Sequence, residues 1–245
     1  MPQNTFVGPV AERYDADSAA MYDPALVRAT TAFLADAAAG GKALELGIGT
    51  GRIALALSSR GVEVHGIDIS ADMIDQLRRK PGSDKITTVV GDFASAFAGE
   101  GFALVYVVFN SICNLLEQSE WVATFENAAR HLAPGGCFVL ELWIPDLRRF
   151  PPGAVALPFD VSPDHVGFDT LDVANQRGAS HHYFVRDGRA AVFTGEFRYG
   201  WPAELDLMAR IAGMTLRERW ADWDRSPFSA ESWKHISVWQ RPAHD

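Results

Sequence analysis

The segment Leu44-Glu45-Leu46-Gly47-Ile48-Gly49-Thr50-Gly51-Arg52 constrains this chain more than any other, because three alternating glycines separate an apolar run from an amphipathic one. A turn of this kind joins a β-strand to an α-helix. Glycine takes positive φ and lets a ligand approach the backbone, and the first N–H groups of the helix stay free to bind an anion such as a carboxylate. Alone, the turn is also readable as a tight connection. Its surroundings add to it: between residues 43 and 143 short apolar runs alternate with longer amphipathic stretches, the rhythm of βα units and a parallel sheet. The spacing predicts strands over Lys42–Leu46, Glu63–Asp68, Ile86–Val90, Ala103–Phe109 and Cys137–Trp143, with helices over Gly51–Arg60, Ser70–Arg79 and Glu120–Leu132.

Local punctuation agrees. Ser70, with Met73 and Ile74 behind it, reads as a helix N-cap, and Ala133-Pro134-Gly135-Gly136 stops the next helix. Upstream, apolar residues at helical spacing from Asp23 to Ala39 predict a helix before the first strand. Beyond Trp143, Pro145, Pro151, Pro152, Pro158 and Pro163 argue against a helix. Ala179–Val185 and Ala190–Tyr199, around Asp187-Gly188, then read as a β-hairpin. Residues 144–200 are therefore expected to be an insertion, after which a helix over Ala203–Ala212 and strands Thr215–Trp223 and His235–Gln240 return to the main sheet. At 245 residues, one domain with an insertion is expected over 1–245, with 1–40 forming an N-terminal cover and helix.

Acidic residues follow the second and third strands. Asp68 stands 21 positions after Gly47, near the spacing at which a carboxylate accepts hydrogen bonds from a ribose diol. Asp92, in Gly91-Asp92-Phe93, can accept from an adenine amino group while Phe93 covers the ring, or can sit in an ordinary surface turn.

Charge and composition narrow the partners. The formal net charge of −9, with no run of Lys or Arg, argues against nucleic acid. No apolar stretch approaches membrane-spanning length and no leader-like start is evident, so the cytoplasm is the expected location. Cys113 and Cys137 lie in apolar surroundings outside any metal-binding spacing, and His181-His182 on a strand would point to opposite faces, so no metal site is expected.

Together ELGIGTGR, GIDIS, GDF and the LAPGG-strand segment, in that order across residues 43–143, resemble the class I S-adenosylmethionine-dependent methyltransferases, in particular members acting on amino sugars and other secondary metabolites. The resemblance implies a Rossmann-like, mostly parallel seven-stranded sheet with helices on both faces, a reversed hairpin at its end, and here an antiparallel insertion after the fifth strand. It implies S-adenosylmethionine as cofactor and S-adenosylhomocysteine as product. Glu45, Gly47, Gly49 and Gly51 would shape the pocket for the methionine moiety, and Asp68 would bind the ribose. Ile69, Asp92 and Phe93 would contact the adenine, with Met73 and Asn110 also near the donor. The segment Phe6–Asp15 resembles a covering segment, which would place Tyr14 over the donor; a loosely packed terminus is the alternative. A nicotinamide dehydrogenase would need glycine at position 52, where this chain has Arg52.

Methyl transfer from a sulfonium is an in-line displacement that expels a neutral thioether, so positioning supplies much of the rate and a base matters only for a protonated acceptor. Candidate catalytic groups are Glu141 at the end of the fifth strand, otherwise an ion-pair partner, and His181 or His182 in the hairpin, otherwise structural. Asn114 (or a helix cap), Trp143, Tyr183 and Tyr199 are candidate acceptor contacts; the aromatics are otherwise core or lid packing. The expected reaction is methylation of a nitrogen or oxygen of a small molecule, by a monomer or homodimer. A donor-binding protein without turnover is the alternative.

Overall fold

The structure is a computed structural model that describes residues 4–186 and 188–243, the side chains of Ala20, Arg149 and Arg186 excepted. Residues 1–3 and 244–245 of the expected domain, and Asp187 of the expected turn, lie outside the described residues.

In chain order the elements are α1 (Pro9–Asp17), α2 (Pro24–Ala38), β1 (Ala43–Leu46), α3 (Arg52–Ser58), β2 (Val64–Asp68), α4 (Ala71–Arg78), β3 (Ile86–Val90), β4 (Phe102–Val107), α5 (Gln118–His131) and β5 (Leu132–Trp143). The insertion follows with β6 (Ala156–Val161), β7 (His165–Asp172), β8 (Arg177–Arg186) and β9 (Arg189–Arg198), and the chain closes with α6 (Pro202–Ile211), β10 (Thr215–Trp220) and β11 (Lys234–Gln240). Seven strands form the main sheet in the order β10-β11-β5-β4-β1-β2-β3. Pairing is parallel from β3 to β5, and β11 runs antiparallel to both β5 and β10. The Rossmann-like arrangement and its reversed end hairpin are thus present, with the antiparallel insertion after β5.

Central strands are apolar on both sides because helices cover both faces. All four residues of β1 are buried, and so are five of the six in β4. One core layer holds Leu44, Leu46, Val105, Phe138 and Leu140 against α5 and α6; the opposite layer holds Ala43, Leu104, Tyr106 and Val139 against α2 and α3. Phe125 from α5 meets Phe138 and Trp239 edge-on, with centroids 5.0 and 5.1 Å away. Such aromatic pairs contribute about 0.5–1.5 kcal/mol beyond their area burial. Cys113 and Cys137 are free, buried thiols in opposite layers.

Capping chemistry sets the helix starts. Ser70 Oγ accepts from Met73 N at 3.2 Å, and Glu117 with Glu120 forms a reciprocal capping box at α5. Several boundaries differ from expectation. Strand β5 begins at Leu132 rather than Cys137, because Leu132 already pairs with Phe102, and the Pro-Gly-Gly run is taken up by a register shift. Strand β10 stops at Trp220, where Trp220 bridges to Pro227 and Arg225 takes φ 61°. The insertion is a four-stranded antiparallel sheet ordered β6-β7-β8-β9, so two strands precede the expected hairpin; Pro158 falls at the irregularity between β6 and β7, which is where a strand tolerates proline.

Candidate active site

A cavity of about 350 Å³ opens at the carboxyl ends of β1, β2, β3 and β4. Its floor is the glycine turn. Gly47 and Gly49 take φ 78° and 55°, and a Cβ on Gly47 would press to 3.2 Å from the Cβ of Ser111, its neighbour in the cavity lining. Gly51 lies behind the wall as the left-handed N-cap of α3, where a Cβ would strike Leu77 Cδ1 at 2.2 Å.

Asp68 ends β2 and is tied to both neighbouring loops: Gly49 N donates to one carboxylate oxygen at 2.7 Å and Ser70 N to the other at 2.8 Å. Burial raises the carboxyl above its ordinary value, opposed by the Ser70 and Gly49 N–H groups. Ile69 and Met73 continue this wall. Asp92 and Phe93 follow β3; Asp92 Oδ1 accepts from Ala94 N at 2.9 Å, and Asn127 Nδ2 pins the Phe93 carbonyl at 2.8 Å.

The wall after β4 is strained. Phe109 and Asn110 are consecutive non-glycine residues in the left-handed region, with φ 57° and 59°, a conformation that costs about 1–3 kcal/mol at each residue and persists only where the surroundings enforce it. Asn110 Oδ1 accepts from Trp143 N at 2.8 Å, and Asn114 Nδ2 donates to Ser111 O at 3.0 Å.

The remaining wall is the N-terminal segment, which contributes Phe6, Tyr14 and Met21. Phe6 and Tyr14 meet edge-on at 5.9 Å. Polar bonds hold this cap to the core. Gly8 N donates to Asp72 Oδ2 at 2.6 Å, Ser70 Oγ donates to Phe6 O, and Arg52 donates to Met21 O at 2.9 Å. Asp15 receives Thr50 Oγ1 at 2.5 Å, the Tyr22 hydroxyl and the Lys80 ammonium, which also reaches Thr50 O at 2.8 Å. Burial raises the Asp15 carboxyl, but hydrogen bonds from Lys80, Thr50 and Tyr22 outweigh it and hold the group below its ordinary value.

Beneath the glycine turn Glu45 shares a small recess with Tyr14 and Arg52. Its carboxylate accepts from Tyr106 OH at 3.0 Å, and burial pushes its carboxyl up to about 8.

The other expected site residues lie elsewhere, among the described residues. Glu141 does not line the cavity: Oε2 accepts from Phe109 N at 2.9 Å, while Oε1 accepts from Trp223 Nε1 and Lys234 Nζ, both at 3.2 Å. The Lys234 contact is an ion pair, the alternative the sequence left open for Glu141. Trp143 packs against Phe197 at 5.7 Å, and Tyr199 is buried between Trp143 and Trp201. His181, His182 and Tyr183 belong to the second sheet, outside the cavity. His181 stacks on Phe168 and contacts Thr170 and Thr194; Tyr183 stacks on the same Phe168. On the opposite face His182 meets His165 at 3.0 Å, and His165 meets Asp160 at 2.5 Å. Burial and then the neighbouring His165 lower the His182 pKa. These rings are held by strand pairing and stacking, so their place in the sheet accounts for their positions.

Met21, Phe109, Ser111 and Leu115 line the cavity without having been singled out. The last three follow the carboxyl end of β4, where open α/β sheets place ligands; nothing in the sequence marks Met21.

Comparison with known proteins agrees with this geometry. The methyltransferase domain family matches residues 43–136. The cypemycin N-terminal methyltransferase of a Streptomyces species is 30% identical over 203 residues, covering 81% of this chain and 82% of that protein. The CcbJ methyltransferase from Streptomyces caelestis has a solved structure with TM-score 0.80 and 36% identity, covering 89% of this chain and 90% of that one. CalS10, an amino pentose methyltransferase from Micromonospora echinaspora solved with S-adenosylmethionine bound, shares the fold at TM-score 0.69 and 20% identity over 98% and 99% of the two chains. The chain belongs to the S-adenosylmethionine-dependent methyltransferase family.

Proposed function

We propose that this enzyme methylates an amine nitrogen of a small secondary metabolite. The observation that carries the choice of nitrogen is the set of ionisable groups on the cavity wall: Tyr14, Asp68 and Asp92, with no Lys, His or Cys among the described lining residues. A neutral amine brings its own lone pair and needs no base in the bond-forming step, whereas a hydroxyl does. The relatives point the same way, one named for the N-terminus of cypemycin and another as an N,N-dimethyltransferase of a dTDP-amino sugar from Streptomyces fradiae.

The residues present suit the donor. The cavity lies within the usual range for small-molecule sites. Each Asp68 oxygen takes one backbone N–H and keeps capacity for a ribose hydroxyl, and Asp92 has an oxygen beyond its Ala94 bond for an adenine amino group. Ile69, Met73 and Phe93 would flank the adenine, Gly47, Gly49 and Glu45 would hold the methionine end, with Gly51 fixing the turn, and Asn110 and Tyr14 would close over it. When bound, S-adenosylmethionine supplies an electrophilic methyl group whose transfer leaves a neutral thioether. The chain's part is to fix the reacting geometry and exclude water, contributing on the order of 7–11 kcal/mol where a near-attack conformer is reached. Tyr14 keeps its proton, since burial raises its pKa, so its hydroxyl can both donate and accept.

We further propose that residues 1–245 act as one domain in the cytoplasm, as monomer or homodimer, with the 144–200 insertion selecting the acceptor and Asn114 contacting it. The formal charge of −9 disfavours a nucleic acid acceptor. The test is incubation with methyl-labelled donor and matched panels of amino sugars, amino-terminal peptides and phenols. Label on nitrogen is the expected result; label on phenolic oxygen alone would refute the amine reading.

A further inference from the structure

Glu141 lies outside the cavity yet is hydrogen-bonded to a residue of its wall. This buried carboxylate bridges two parts of the fold that sequence separates widely: Phe109 N on the turn after β4, and Trp223 Nε1 with Lys234 Nζ on the β10–β11 hairpin. Both sides are anchored. Lys234 is 6% exposed and also pairs with Asp222 Oδ1 at 2.7 Å, and Asp222 Oδ1 accepts from Trp223 N at 2.7 Å. Trp223 packs edge-on against Phe33 of α2, with centroids 5.4 Å apart. The carboxylate is therefore fixed by the opposite layer of the core.

What it grips is strained. Phe109 at φ 57° is a bulky residue in a region that favours glycine, and Asn110 repeats the conformation. Phe109, Asn110 and Ser111 all line the donor cavity, and the Arg52 guanidinium lies 4.9 Å from the Phe109 ring. Without an acceptor for the Phe109 N–H, this turn would lose one of the contacts that enforce its conformation.

We propose that Glu141 is a positioning residue: through the Phe109 N–H it clamps the strained turn after β4 in the conformation that binds the methyl donor. The inference rests on the donor pocket described above. Glutamine at 141 cannot serve as acceptor to both sides: its single oxygen is drawn to the Lys234 ammonium and the Trp223 N–H, which turns its NH₂ toward the Phe109 N–H. Glycine at 109 takes positive φ without steric cost and removes the need for a clamp.

The experiment is a double-mutant cycle of Glu141→Gln and Phe109→Gly, read by calorimetric titration with S-adenosylmethionine and by thermal melting. Glu141→Gln is expected to weaken donor binding about tenfold in the wild-type background and to have little effect in the Phe109→Gly background. Equal losses in both backgrounds, or unchanged binding in Glu141→Gln, would overturn the clamp. If Glu141→Gln does not fold, Trp223→Phe removes a single donor to the carboxylate; the clamp then requires a smaller loss of affinity that also vanishes with glycine at 109, and a loss that persists refutes it. Failure of the wild-type chain to bind the donor would instead defeat the donor reading, and coupling or additivity in the melting cycle would still decide whether Glu141 acts through Phe109.

Discussion

Strands β5 and β9 are similar in length yet live in different environments. From Cys137 to Leu142 every residue of β5 is buried, and both its edges are paired, with β4 and β11. The first six residues of β9 are all exposed, and β8 is its one neighbour within its sheet. A centre covered by helices on both faces draws its stability from apolar burial, whereas the exposed first half of β9 is held along one edge by β8, and the strand meets the core only at its end, through Phe197 on Trp143 and the buried Arg198 beside α6. The N-terminal cap is a third case: Ala11 is the one buried residue of α1, and polar bonds to Thr50, Asp72 and Lys80 attach it. The molecule thus combines a sheet held by apolar burial with attachments held mainly by polar bonds.

The largest effect should come from pairing Phe138→Ala with Val192→Ala in denaturant unfolding. Phe138 is 0% exposed and Val192 61%, so the first is expected to cost about 3–5 kcal/mol and the second less than about 0.5 kcal/mol. Equal losses would erase the contrast between the sheets.

Glu45 tests the interior from the other side. With its carboxyl pushed up to about 8, the folded state holds this proton more tightly than the unfolded chain. The favourable contribution is full below the ordinary carboxylate value and is lost as pH rises through about 8. Glu45→Gln should therefore gain several kcal/mol of stability on the parent as pH rises from about 5 to about 9, the two converging toward the acid end. Parallel melting curves across that range would show that Glu45 is ionised in the fold.

The smallest effect on stability is expected at the cap. Lys80→Met removes the cation shared by Asp15 and the Thr50 carbonyl, and should change global stability by about 1 kcal/mol or less while making local unfolding of α1, and so tryptic cleavage after the already exposed Arg13, more frequent. Unchanged cleavage would mean that the cap does not depend on this ion pair.

How much of this was readable beforehand depended on whether a residue's signal was local. The βα rhythm, the Ser70 cap and the positions of Asp68 and Asp92 follow from apolar spacing and strand ends. Strands β6 and β7 were missed because Pro158 and Pro163 mask an edge hairpin whose alternation is weak. Glu141 at the end of the fifth strand and the histidines of the hairpin stand out as polar groups in the sequence, but their partners, Lys234, Trp223, His165 and Asp160, come from registers that no single segment encodes. Phe109 was missed because its left-handed backbone goes with a bond to a carboxylate 32 residues away, and nothing about phenylalanine announces such a conformation.

The two cysteines have a practical consequence. They sit on opposite sides of a continuous sheet, and burial pushes the Cys113 thiol up to about 12 and raises that of Cys137 as well. Neither presents a reactive thiolate near neutral pH, and they cannot join without dismantling the sheet. A single engineered surface cysteine would therefore take a fluorescent or spin label selectively in the otherwise native chain, so that movement of the cap can be followed with both native thiols left in place.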